Sequence, residues 1–204
     1  GGAGWRHAAG RRRGTRIAWP GATAPDEPTR AMKRIATAIS LSFCLLAAHA
    51  DALQDAQAAV LRKDYPTAVR LLEPLAQGGD AVAQLRLALL HYHGHGVRES
   101  DAAALQWFER AARQGLPDAQ YHLGNMYAYG LAALPADADG GRLAAQWYFE
   151  AARQGHAEAQ YSLGILFLTG SGVEQSTAEA TRWIEKAAAQ GHADATAYLK
   201  GRAR

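Results

Sequence analysis

The chain has 204 residues, of which 49% are hydrophobic and 20% charged, so it can bury a sizeable core in one domain or at most two. Its formal net charge of +3 would favour a nucleic-acid partner only if the basic residues lay in the folded part. They lie elsewhere, because residues 1–50 hold eight Lys or Arg against two Asp or Glu, whereas residues 51–204 hold fourteen against seventeen. We therefore expect no binding of nucleic acid.

The first segment, residues 1–31, is rich in Gly, Arg and Pro and has no apolar period. Such a composition does not bury enough apolar surface to fold and is typical of disorder. The segment begins with Gly, and the first methionine is Met32. We interpret residues 1–31 as a disordered leader, or as an extension wrongly assigned upstream of a start at Met32.

Residues 32–50 have the three parts of a secretory signal peptide. A basic Met32-Lys33-Arg34 start precedes a 14-residue apolar stretch from Ile35 to Ala48, and Ala48-His49-Ala50 forms a cleavage pattern. The stretch is too short to span a bilayer, which needs about 20 apolar residues. We expect cleavage after Ala50, a periplasmic or secreted location and no stable membrane span in the mature chain. An uncleaved anchor is the alternative.

Residues 51–204 repeat at steps of 40 and 36 residues. Trp107, Trp147 and Trp183 keep these steps, as does an Ala-Ala-x-Gln-Gly pattern that ends each unit. An internal period of this length is the signature of a repeat architecture. The pattern predicts four units and a C-terminal capping helix, at about 51–80, 81–118, 119–158, 159–194 and 195–204.

Each unit is predicted to contain two helices. In the third unit, small and apolar residues recur every three to four positions, first at Ala119, Leu123, Gly124 and Tyr127, then at Ala144, Trp147, Tyr148, Ala151 and Ala152. Two such helices do not bury their apolar faces alone, so neighbouring units must stack. We predict an all-α solenoid of antiparallel helix pairs, with one tryptophan per unit filling the space between layers.

The repeated residues resemble the Sel1-like repeat, a relative of the tetratricopeptide repeat. The resemblance is carried by Ala159-Gln160-Tyr161-Ser162-Leu163-Gly164, by Gly170-Ser171-Gly172-Val173 and by Ala187 to His192. It is strong from about 80 to 200 and weak over 51–79. One departure is 131–142, which is four residues longer than its counterparts and lacks Gly-x-Gly-Val. We expect an irregular loop there.

The resemblance implies that the first helix of each unit lines a concave face on which a ligand lies. By alignment with the tetratricopeptide relatives, three rows of residues are candidate ligand contacts: Leu85, Tyr121 and Tyr161; Leu89, Asn125 and Ile165; His93, Tyr129 and Thr169. This mixture is aromatic and apolar with few charges, which suits a peptide or amphipathic helix. We expect Tyr161→Ala to weaken partner capture and to leave the melting curve nearly unchanged. The alternative is that several of these residues pack inside the repeat.

Sequence motifs for catalysis are absent from residues 51–204, which contain no GxSxG, Walker loop, HExxH or CxxC. The alternate histidines His91, His93 and His95 could ligate zinc or copper, but they occupy repeat positions that other residue types fill in the other units. His156 and His192 lie in the Gln-Gly-His linkers and are interpreted as structural. We therefore expect no catalytic residue, no metal and no cofactor.

The sequence as a whole favours an exported, non-enzymatic adaptor that holds a peptide or protein partner. Two alternatives of other classes remain open at this point. One is a metal-dependent or cell-wall-acting hydrolase, which the histidine cluster would serve. The other is a carbohydrate-binding scaffold, because exposed tyrosines can stack on sugars.

Overall fold

A computed structural model describes residues 49–134 and 138–202 of the chain. The predicted leader and most of the predicted signal peptide lie outside these residues. The described part contains nine helices and no strand: α1 over residues 49–61, α2 Tyr65–Gln77, α3 Ala81–His93, α4 Asp101–Arg113, α5 Pro117–Ala128, α6 Gly140–Arg153, α7 Ala157–Thr169, α8 Thr177–Ala189 and α9 Ala193–Arg202. None of these helices combines the length and the hydropathy that crossing a bilayer requires.

The helices begin where side chains can accept hydrogen bonds from their first free backbone N–H groups. Asp80 accepts from the N–H of Ala83 at 2.6 Å, and Ser176 accepts from that of Glu179 at 3.3 Å. Several of the turns that follow contain a glycine with positive φ, such as Gly155 at 94°, a conformation that glycine adopts without steric cost. These short connections keep successive helices antiparallel.

The strong helix contacts all join helices that are adjacent in sequence. Apolar side chains accordingly form four clusters along the stack, the first from α1–α3, the second from α3–α5, the third from α6–α8 and the fourth from α8 and α9. Trp107 packs against the first and second clusters, Trp147 against the second, and Trp183 belongs to the third. The predicted all-α solenoid is confirmed, because the described residues form helices and no strand, and each helix packs on the next one in sequence.

The residue that fills the middle of each layer is the one after the tryptophan. Phe108, Tyr148 and Ile184 are almost fully buried, whereas Trp107 and Trp147 keep part of their surface in solvent. The tryptophan expected between layers packs against an apolar cluster in each unit, and the residue after it is the more deeply buried of the two. The residue after the tryptophan faces the first helix of its own unit, as Tyr148 faces α5 and Ile184 faces α7. The tryptophan lies to one side of this contact.

Two first helices, α5 and α7, approach their second helices closely because a glycine lies at the crossing point. A Cβ atom added to Gly124 would lie 2.6 Å from ring carbons of Tyr148, and one added to Gly164 would lie 2.6 Å from Ile184. Carbon atoms that are not bonded do not approach so closely. Glycine at this position therefore allows an aromatic or branched side chain to fill the layer.

A loop contact also fixes one unit against its neighbour. Gly172, in the loop between α7 and α8, has a φ of 69° and meets the backbone of Gly141 at the start of α6. The connection between α5 and α6 is longer, and its described residues 131–134 and 138–139 contain no helix. Residues 135–137 of the expected irregular loop lie outside the described residues.

Three buried glutamines link consecutive units by hydrogen bonds. Gln84, Gln120 and Gln160, near the starts of α3, α5 and α7, are only 4, 4 and 5% exposed. Each side-chain amide donates to a carbonyl near the end of the preceding second helix: Ala76, Ala112 and Ala152, at 3.0, 3.2 and 3.0 Å. Each amide oxygen accepts from the glutamine that ends its own unit: Gln114, Gln154 and Gln190, at 2.8 Å in all three. In each buried glutamine, both the amide nitrogen and the amide oxygen therefore have a hydrogen-bond partner.

Candidate functional site

The first helices line three successive depressions on one side of the stack. The first depression lies along α1 and α3 and has a volume of about 450 Å³. The second lies along α3 and α5, with about 210 Å³, and the third along α5 and α7, with about 520 Å³. His93 lines both the first and the second, and Tyr129 lines both the second and the third. Neighbouring depressions thus share a lining residue, and we name the three together the first-helix groove.

Every ligand-contact residue predicted from the repeat alignment lines this groove. The first depression contains Leu85, Leu89 and His93, the second adds Tyr121, Asn125 and Tyr129, and the third adds Tyr161, Ile165 and Thr169. Their exposure differs. Tyr129 is 74% exposed, whereas Leu85 is buried in the second apolar cluster. The structure thus brings the nine residues onto one surface, and their contact with a ligand stays a prediction.

Two tyrosines of the groove stack on the histidine that begins the next unit. The ring centroids of Tyr121 and His156 lie 4.8 Å apart, and those of Tyr161 and His192 lie 4.6 Å apart. Each histidine also caps a helix, since its Nδ1 accepts the N–H of Ala159 or Ala195. This agrees with the structural role expected for the two linker histidines.

Tyr161 is consequently less free than the sequence suggested. It is half-buried and packs against the fourth apolar cluster as well as on His192. The expectation that Tyr161→Ala leaves the melting curve nearly unchanged is not favoured by these contacts. Tyr129, which stands clear of the apolar clusters, is the better probe of binding.

The histidine cluster at the end of α3 is spread over two depressions. The rings of His93 and His95 have centroids 5.5 Å apart, and His95 stacks on Tyr65 at 4.3 Å. Within the part of the chain that the structure describes, no three His, Cys, Asp or Glu side chains are grouped so that they could hold a metal ion. The stacking on Tyr65 gives His95 a packing role.

The second depression contains a half-buried histidine that the sequence analysis missed. His122 stacks on Phe108 with centroids 5.1 Å apart. Burial lowers the pKa of His122, and the nearby His156 and His93 lower it further, against the opposing effect of Asp118. Its surroundings therefore favour the neutral imidazole. Helical spacing could have placed His122 beside the predicted contacts Asn125 and Tyr129. The three residues are separated by three and four positions, so they share one face of α5.

Asn125, in the same depression, has a fixed orientation. The hydroxyl of Tyr148 donates to Oδ1 of Asn125 at 2.6 Å. Burial raises the pKa of Tyr148, and Tyr129 and Tyr121 raise it further, so the hydroxyl keeps its proton. The oxygen of the Asn125 amide is thus occupied, and its NH₂ group can donate hydrogen bonds to a ligand.

The lowered pKa of His122 predicts a pH dependence of stability. The unfolded chain takes up a proton at this residue near the ordinary value of about 6.5, while the folded chain takes it up only at lower pH. The contribution of His122 to the free energy of unfolding is therefore at its maximum above about pH 6.5, and it falls as the pH is lowered below that value.

The test compares urea denaturation of the unaltered chain and of His122→Phe between pH 7.5 and 5.5. Phenylalanine keeps the stacking on Phe108 and cannot be protonated. We expect the stability of the unaltered chain to fall more steeply with decreasing pH than that of the variant. Parallel curves would show that His122 stays neutral in both states or is protonated equally in both.

Comparisons with known proteins agree with this architecture. The Sel1 repeat model matches residues 46–80, 81–116, 117–156 and 157–192. A Sel1 repeat protein from Oxalobacter formigenes is 39% identical, with a TM-score of 0.57, over 64% of this chain and 95% of that one. No curated protein matches the chain.

A second solved structure is similar over part of its length. It is a protective antigen present in uropathogenic Escherichia coli strains, which displays an SLR fold. It is 34% identical, with a TM-score of 0.61, over 66% of this chain. The similar region is only 28% of the antigen.

Proposed function

This chain belongs to the Sel1 repeat family, and from that membership we propose that it is an exported adaptor that captures a peptide or protein in the first-helix groove. Proteins built from Sel1 repeats generally serve as protein-interaction scaffolds. The observation that carries the proposal is that neighbouring depressions share lining residues along the first helices of four units, with exposed Tyr129 common to two depressions. A surface of this kind holds a chain segment better than a single small molecule.

The chemistry of the groove supports a protein partner. Among the described residues that line it, Arg86 alone is fully charged, and its guanidinium already donates to the carbonyl of Leu53 at 3.0 Å. A nucleic acid would require several cations to neutralise its phosphates. Tyrosines, leucines and an asparagine instead match the aromatic and apolar composition of peptide-binding surfaces.

Export is the second part of the proposal, and it is supported by the signal-peptide pattern of residues 32–50. Cleavage after Ala50 is compatible with the packing of α1, because its fully buried residues are Ala56 and Ala59. Cleavage would remove the 2.7 Å contact between His49 and Asp80. Asp80 would still cap α3 through Ala83.

The intact mass of the exported protein tests this part. We expect a mature chain that begins at Asp51 and lacks Cys44, the only cysteine. Expression of the gene in a bacterium, followed by separation of envelope and cytosol, supplies the material. A mass that retains residues 32–50 would contradict cleavage.

The use of the groove is tested by a matched pair of substitutions. Tyr129→Ala should weaken partner capture about tenfold or more, as loss of an exposed aromatic anchor does, and should leave the melting temperature nearly unchanged. Phe149→Ala is the control, since Phe149 is 46% exposed and lies outside the groove, against Trp183.

The measurement is recovery of the same partner bands from an envelope fraction by the unaltered chain and by each variant. Folding of all three proteins is checked by circular dichroism. If Phe149→Ala loses the partner and Tyr129→Ala retains it, binding occurs on another surface and the proposal for the groove is wrong.

A further inference from the structure

The second depression combines imidazole, amide and phenol groups and has no charged side chain in its lining. Its polar lining comprises His93, His122, Asn125 and the hydroxyls of Tyr92, Tyr121 and Tyr129. None of the described residues that line it is Asp, Glu, Lys or Arg. A ligand group that supplies only acceptors would therefore meet matching donors in the lining.

Asn125 is the fixed donor of this set. Because its Oδ1 accepts from Tyr148 at 2.6 Å, its two amide hydrogens remain for another acceptor. Tyr148 is itself buried and held between α5 and α6. The donor is thus oriented before any ligand arrives, which lowers the entropic cost of binding.

His122 is the donor of this set that can gain a positive charge when an anion binds. The groups that face it are His93 from α3, Phe108 from α4, Asp118 and Tyr121 on its own helix, and His156 at the start of α7. The carboxylate of Asp118 contacts His156, because Oδ1 of Asp118 lies 3.3 Å from Nε2 of His156. An anion bound in the depression would stabilise protonated His122, so binding and proton uptake would be linked.

We propose that the second depression is a subsite for a carboxylate of the captured peptide, held by the amide of Asn125 and the imidazole of His122, with His93 at its edge. The proposal rests on the function proposed for the groove and names the chemistry of one contact within it. The walls, Phe108, Tyr92 and Met126, pack against the adjoining alkyl part. A C-terminal carboxylate and an Asp or Glu side chain present the same group.

Three acetylated tetrapeptides of Ala and Leu serve as probes. One has a free C-terminal carboxylate, one is amidated, and one is amidated but ends in Glu. Binding to the full chain is followed by the nuclear magnetic resonance signals of the His122 and His93 imidazoles at pH 6.0 and pH 7.5. Comparison of the free-carboxylate peptide with the Glu peptide shows whether the site binds a terminal or a side-chain carboxylate.

We expect at least one of the two carboxylate peptides to bind about tenfold more tightly than the amide, which corresponds to about 1.4 kcal/mol. The difference should be larger at pH 6.0, and binding should raise the pKa of His122. His122→Phe should abolish the preference for carboxylate over amide. Ser162→Ala is the matched control, because Ser162 occupies the same repeat position in the third depression and should leave the preference unchanged.

Asn125→Leu should also remove the preference, but it leaves Tyr148 without its partner, so the conclusion is drawn from His122→Phe. Equal binding of amide and carboxylate peptides, with Tyr129 perturbed by both, would overturn the carboxylate subsite and leave the groove intact. Failure of all three peptides to perturb any lining residue, together with unchanged partner recovery by Tyr129→Ala, would overturn both proposals.

Discussion

The hydrogen bonds of the three buried glutamines are the constraint on which the arrangement of the units depends. Gln120 shows the principle, because its amide joins the end of α4 to the start of α5, and its oxygen accepts from Gln154 at the end of α6. A buried amide with an unmet hydrogen bond costs about 1–3 kcal/mol. A unit that slipped along its neighbour would break the bond to Ala112, and a second helix that slipped along its own first helix would break the bond from Gln154. One register is therefore selected at each of the two helix contacts.

This register gives the first helices a common face. Glycine at Gly124 and Gly164 allows the paired second helix to pack closely behind, and the apolar clusters form on that side. Three depressions, one per pair of neighbouring units, lie along the first helices and are lined in part by residues of these clusters, such as Phe108 and Tyr148. A surface with this repeat suits an elongated ligand, and its differing side chains allow each depression a separate preference.

The repeat steps, the two-helix unit and the solenoid could be predicted because they depend on recurring apolar positions, which are visible in one sequence. The same alignment placed Leu85 among the candidate ligand contacts although it is buried, because periodicity identifies a helix face and not how deeply each residue packs. It also missed the roles of Gln120 and His122. Their partners, Gln154 and Phe108, come from other helices, so only the folded chain brings these pairs together.

The central claim is that paired glutamines hold neighbouring helices in register, and a double-mutant cycle measures it directly. Methionine replaces Gln120, Gln154 or both, and the free energy of unfolding of the four proteins is measured in urea. The account predicts that Gln120→Met costs about 1–3 kcal/mol and that the two substitutions couple by about 0.5 kcal/mol or more. Additive effects, with a cost of Gln120→Met near zero, would contradict it.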